Sequence, residues 1–202
     1  MAYPTVDKPY GLQPVNLIGG QPYAGSTRLM SIANGYGTDL FYGDVVKRVS
    51  NGTVEKDTGT STATPVGIFV GVTYTNPTTS QKQFAQYWPA GTVASDAYAY
   101  VVDDPDVLFK VVTVSTGTTV AFYGPELVGE NAVMVQNAGS NTTGDSAVGI
   151  FGGNTATTAS FPLRIVDLVP DTSYVSSGNI VYPELIVKFN FGFHSYYNAT
   201  GA

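Results

Sequence analysis

The chain has 202 residues, no cysteine and a formal net charge of −6, from nine Lys and Arg against fifteen Asp and Glu. It is long enough to bury a core without a covalent staple, and the lack of cysteine excludes disulfide frameworks and thiolate metal sites. The acidic balance, with no basic run longer than Lys47-Arg48, excludes nucleic acid as a partner, because phosphate binding needs clustered cations.

In chain order, residues 1 to 34 come first as an arm. Pro4, Pro9, Pro14 and Pro22, with Gly19-Gly20 between them, prevent helix and force extended backbone. Met1-Ala2-Tyr3-Pro4 has no basic flank or apolar run after it, and no stretch of about eighteen apolar residues occurs, so neither a signal peptide nor a membrane span is expected. The arm's apolar residues, Tyr3, Val6, Tyr10, Leu12, Val15, Leu17 and Ile18, are too many for a solvated linker. They are expected to pack either as a belt around their own domain or as a clamp on a neighbouring subunit.

From Leu40 the composition is that of short strands and turns, rich in Gly, Thr, Val and Tyr. The spacing predicts strands over 40–49, 53–56, 66–75, 84–88, 97–102, 108–114, 119–123, 132–136, 147–151, 161–169 and 185–193, and at most one helical turn, around Asp104–Phe109. So many short strands read as a barrel or sandwich. Sequons at Asn51, Asn141 and Asn198 read as turn chemistry. Val66-Gly67-Ile68-Phe69 returns as Val148-Gly149-Ile150-Phe151, either an internal duplication or a chance recurrence of strand sequence.

Three stretches stand out: Gly43-Asp44-Val45-Val46-Lys47, Asn51-Gly52-Thr53-Val54, and Thr64-Pro65-Val66-Gly67-Ile68-Phe69-Val70-Gly71. A Gly-Asp strand, an Asn-Gly hairpin and a returning apolar strand follow one another. Over residues 40 to 75 this order resembles the small β-barrel modules of tailed-phage head decoration, or cement, proteins. The resemblance implies a mainly β fold: a small, β-tulip-like barrel module elaborated with antiparallel strands or a sandwich. It implies a homotrimer on the capsid exterior that bridges major capsid protein subunits against internal pressure. The expected divisions are an extended arm (1–34), a β-barrel module (35–115) and a second β-region packed on it (116–202).

Candidate chemistry is sparse. Asp103, Asp104 and Asp106 could hold a hard cation, but their spacing departs from the Asp-x-Asp-x-Asp-Gly loop, and an Asx-Pro turn accounts for them. The single histidine, His194, adjoins Ser195 but lacks a Gly-x-Ser-x-Gly elbow, and alone it cannot build a multi-histidine metal site. Glu55, Glu126, Glu130 and Glu184 show no paired spacing. No catalytic residue, metal ligand or cofactor site is expected, and the chain is read as non-enzymatic. Its fourteen Tyr and ten Phe form clusters, Phe84/Tyr87/Trp88, Tyr98/Tyr100 and the strand Phe189, Phe191 and Phe193 followed by Tyr196 and Tyr197. With the arm, the last cluster is expected to bind partners. The alternative to capsid decoration is a carbohydrate- or receptor-binding β-domain of a phage head or tail fibre, with these rings as stacking platforms.

Overall fold

The computed structural model describes residues 5–190. Fourteen strands run in chain order: β1 (Gln13–Leu17), β2 (Arg28–Ser31), β3 (Val45–Arg48), β4 (Val54–Lys56), β5 (Gly67–Thr75), β6 (Lys82–Ala85), β7 (Tyr98–Val102), β8 (Val107–Val114), β9 (Asn131–Val135), β10 (Gly149–Ala156), β11 (Leu163–Leu168), β12 (Tyr174–Ser176), β13 (Asn179–Val181) and β14 (Glu184–Phe189). The protein is mainly β, as the composition predicts, with a closed five-stranded barrel and further antiparallel sheets.

The barrel runs β8-β10-β9-β11-β14 and closes by pairing of β14 back onto β8. Lys110 in the middle of β8 pairs with Ile186 of β14 on one edge and with Gln13 of β1 on the other, so the arm supplies a strand to the barrel wall. The second sheet runs β2-β7-β5-β3-β4, with β6 beside β5, and a bridge between Ile32 and Val54 draws its two ends together. The closed barrel therefore lies mostly within residues 107–189, whereas residues 35–115 were expected to form it. The arm is divided between the sheets, because β1 pairs with β8 and β2 with β7.

The two units share a wall. Along β3, β5 and β7, Val45, Ile68 and Val102 face the barrel core, while their chain neighbours Val46, Phe69 and Val101 face the core of the second sheet. Strand alternation makes this possible: successive side chains point to opposite faces, and a strand covered on both faces reads as an unbroken apolar run. That explains Val66–Val70. A bulge between Phe69 and Gly71 then shifts the register, so that Val72 and Tyr74 point into the second core and Thr73 points out.

Three segments cross at Gly11, Gly43 and Ser146. Leu12 donates its N–H to the Gly43 carbonyl at 3.0 Å, Gly11 to Val148 at 3.1 Å and Ser146 to Tyr42 at 2.9 Å. Gly11 has φ +81°, and a Cβ there would lie 2.7 Å from the Gly43 oxygen, so side chain and fold exclude each other.

Other expectations shift. Residues 119–123 form isolated bridges, Val120 to Val114 and Tyr123 to Tyr182, rather than a strand. No helical turn forms at Asp104–Phe109, where strand β8 begins at Val107; two short 3-10 turns among the described residues, one more than the most expected, occur instead at Pro125–Leu127 and Pro170–Thr172, each opened by proline. The two Val-Gly-Ile-Phe stretches stand in different pairings. β5 is antiparallel to β3, β6 and β7, while β10 is parallel to β8.

Candidate interaction surface

The outer face of the second sheet is built by cross-strand register. Phe84 of β6 lies opposite Thr73 of β5, Thr73 opposite Tyr98 of β7, and Tyr98 opposite Ser31 of β2. One row along, Tyr100 faces Leu29. Inner-face neighbours Met30, Val72, Ala99 and Val101 fill the core, so the alternation leaves these side chains outside. Phe84 is 74 % exposed, Leu29 53 % and Tyr98 41 %.

Thr73 sits in the middle of this face, and its hydroxyl, covered by its neighbours, has no hydrogen-bond partner. A buried hydroxyl without a partner costs about 1–3 kcal/mol, so a docking group that reached it would recover that loss. On β7 the face runs from exposed Tyr98 through half-buried Tyr100 to Val102 in the barrel core. The patch thus ends at the seam between the two units.

Its rim is ionic but internally matched. Lys82 lies 2.7 Å from Asp96, which also accepts the Thr75 N–H at 3.0 Å and the Thr75 hydroxyl at 2.7 Å. The lysine contact, helped by Thr75, holds the Asp96 carboxyl well below the usual carboxylate range. On the β2 side Arg28 lies 3.0 Å from Asp103.

The expected partner-binding residues disperse. Leu12 is fully buried in its own chain's core, and Phe189 is inside the barrel, 5.2 Å ring to ring from Phe109. These two are therefore core residues, because the arm and β14 both lie in the barrel wall. Val6, Tyr10, Val15 and Leu17 are half-buried, Leu17 against the barrel core, and Ile18 is 52 % exposed. Tyr3, Phe191, Phe193, Tyr196 and Tyr197, with His194 and Ser195, lie outside the described residues. Trp88 is buried edge-on to Tyr74 and donates its indole N–H to Tyr36, while Tyr87 stacks on Phe41. Of the rings in the first two aromatic clusters, Phe84, Tyr98 and Tyr100 meet on one face.

Two buried polar clusters escape sequence reading. Fully buried Asp44 accepts from the Lys56 ammonium at 3.0 Å, the Ser146 hydroxyl at 2.7 Å and the Phe41 N–H at 2.9 Å. Ser146 in turn accepts the Val148 N–H at 3.1 Å. Every donor converges on one carboxylate, which makes this a cross-link between segments 102 positions apart rather than an activated nucleophile. In the second cluster Tyr10 donates its hydroxyl to buried Glu184, and Lys110 lies 3.4 Å from that carboxylate and over the Tyr10 ring. Burial and then the Glu184 carboxylate push the Tyr10 hydroxyl far above the ordinary tyrosine range.

The acidic loop is also accounted for. Asp104 accepts the Asp106 N–H at 2.8 Å as a turn cap, Asp103 pairs with Arg28, and Asp106 lies 3.5 Å from Lys188. Among the described residues no group of three His, Cys, Asp or Glu is placed to hold a metal, and no helix is long and apolar enough to cross a membrane. Comparison with protein-family models, with curated proteins and with solved structures gives no match. Function is therefore argued from the surface itself.

Proposed function

We propose that this chain is a non-enzymatic structural virion protein that decorates the exterior of an icosahedral phage capsid and stabilises it by bridging major capsid subunits. The observation that carries the proposal is the outer face of Leu29, Tyr98, Tyr100 and Phe84, half apolar and half phenolic, at the seam of two units that share a wall. Tyrosine and phenylalanine are enriched where proteins dock, and a rim of self-paired charges needs little further desolvation. The strands that build this sheet include β3, β4 and β5, which arise from the stretch that resembles decoration modules. A shared wall also suits a cement. Shearing one unit against the other would open two cores at once.

The test is co-sedimentation of the purified protein with capsids stripped of it. Tyr98→Asp and Leu29→Asp are expected each to reduce capsid binding at least about tenfold, with the melting temperature of the free protein unchanged. Full binding by both variants would overturn the proposal. Binding to host surface polysaccharide but not to capsids would favour the carbohydrate-binding alternative.

A further inference from the structure

Strand β6 has a neighbour on one side only, because it pairs with β5 and with no other strand among the described residues. The register shows which backbone groups that leaves over. In an antiparallel ladder the N–H and C=O of one residue point to the same side, and those of the next residue to the other. On β5 the Thr75 N–H reaches Asp96, just ahead of β7, at 3.0 Å, whereas the Asn76 N–H reaches the Gln81 carbonyl at 2.9 Å. Val72, Tyr74 and Asn76 therefore turn toward Ala85, Gln83 and Gln81. Lys82 and Phe84 lie between these, so their N–H and C=O groups face away from β5 and meet no other backbone among the described residues.

An unpaired edge is a template for another strand, and proteins commonly blunt it with an unpaired charge or a proline. β6 has neither. Its one charge, Lys82, is held 2.7 Å from Asp96, and Phe84 is the most exposed large apolar side chain among the described residues. The edge also continues the outer face. Phe84 lies opposite Thr73 and Thr73 opposite Tyr98, so a strand laid beyond β6 would set its own side chains in line with these three.

We propose that an extended segment of the capsid subunit adds to this sheet as a strand along β6, taking the N–H and C=O groups of Lys82 and Phe84. This rests on the reading of the outer face as the capsid-docking surface and says how the docking is made: main-chain hydrogen bonds hold the segment, and the side chains beside Phe84 select it. The capsid is the occupant because edge and aromatic face are continuous, so one partner covers both. The segment carries an aromatic or β-branched residue opposite Phe84, and no charge beside Lys82 and Asp96, which already balance each other.

Proline separates the backbone from the side chain. Lys82→Pro deletes an N–H that β5 does not use, so the ladder within the fold survives, whereas Lys82→Ala deletes the same charge and keeps the N–H. In co-sedimentation with capsids stripped of the protein, Lys82→Pro is expected to bind at least about tenfold more weakly than Lys82→Ala. Residue-level hydrogen exchange on the wild-type protein gives a second reading that needs no substitution. Free in solution, the Lys82 and Phe84 amides are expected to exchange fast and those of Gln83 and Ala85 slowly; on capsids the first two should slow at least about tenfold. Equal binding by the two Lys82 variants, or Lys82 and Phe84 amides as fast on capsids as off them, would overturn the proposal. If Tyr98→Asp releases the protein from capsids while those results come out equal, the face docks without an added strand. Wild type that does not bind capsids overturns both readings. A free oligomer that Lys82→Pro dissolves puts a second copy on the edge and overturns the capsid occupant.

Discussion

Lys56 and Asp44 hold the second sheet to the barrel: the ammonium lies 3.0 Å from both carboxylate oxygens, and the same carboxylate takes the hydroxyl of Ser146 from the segment that leads into β10. The Asp44 side chain is completely buried, and that of Lys56 is 11 % exposed. Removing one charge leaves the other largely shielded from water and without its partner. Asp44→Ala is expected to cost about 3–5 kcal/mol, and its double-mutant cycle with Lys56→Met to show at least about 1 kcal/mol of coupling by urea denaturation. Additive single effects would mean that the pair does not act as a unit.

The glycine crossing gives a second expectation. Gly11 and Gly20 both have φ above +80°, but a Cβ on Gly11 would meet the Gly43 backbone, while one on Gly20 would meet nothing within 4 Å. Gly20→Ala should therefore cost only the conformational penalty, about 1–2 kcal/mol. Gly11→Ala should cost clearly more, or prevent folding, because the fixed atoms are backbone. Equal shifts in urea midpoint for the two variants would show that the crossing tolerates movement.

Strands β3, β4 and β5 were legible because their turn chemistry is local: Asn51 accepts the Thr53 N–H at 2.9 Å, and Gly52 takes the positive φ its position needs. The arm's strands were hidden by proline. Pro14 sits inside β1, where an edge position and a register shift before Asn16 tolerate a missing N–H. Alternation placed Tyr98 and Tyr100 on one face, yet no pattern in the chain places Phe84 and Thr73 beside them, since that depends on pairing across the sheet and on the bulge at Phe69. Tyr10 and Glu184, 174 positions apart, were invisible for the same reason. Hairpin chemistry is written in neighbours; a shared wall is not.

For the arm, burial separates residues that the sequence groups together. Leu12 is fully buried in the barrel core and Ile18 is 52 % exposed. Leu12→Ala is expected to destabilise the free protein by about 2–5 kcal/mol, while Ile18→Ser stays within about 0.5 kcal/mol. Thermal melts of the two variants decide this. If Ile18→Ser also weakens capsid binding, the exposed end of the arm acts as a clamp while its middle acts as a belt.

The aspartate loop should ignore calcium. Asp103 and Asp106 already face Arg28 and Lys188, and Asp104 caps its own turn, so a cation would have to displace these partners. Millimolar Ca²⁺ or EDTA is expected to leave the melting temperature unchanged. A rise of several degrees would show a site, since a ligand that binds only the folded state stabilises it by RT ln(1 + [L]/Kd).

Tyr10 gives the protein an alkaline limit. Its hydroxyl titrates far above the ordinary range when folded, through burial first and the Glu184 carboxylate second, but near pH 10 when unfolded. A group whose folded value is raised contributes its stability fully below the unfolded value and loses it as pH rises beyond. From about pH 10 upward the unfolded chain sheds a proton that the folded chain keeps, so stability should fall by up to about 1.4 kcal/mol per pH unit from this residue. Burial also raises Tyr23, Tyr36, Tyr42 and Tyr74, which adds to the slope. Tyr10→Phe is expected to lower stability at pH 7 by about 1–3 kcal/mol, because Glu184 loses a donor in a buried site. The same variant should fall less steeply than wild type between pH 9.5 and about 11. Parallel pH profiles for the two proteins would show that the Tyr10 hydroxyl ionises freely in the folded state, and that its bond to Glu184 does not hold the arm to β14.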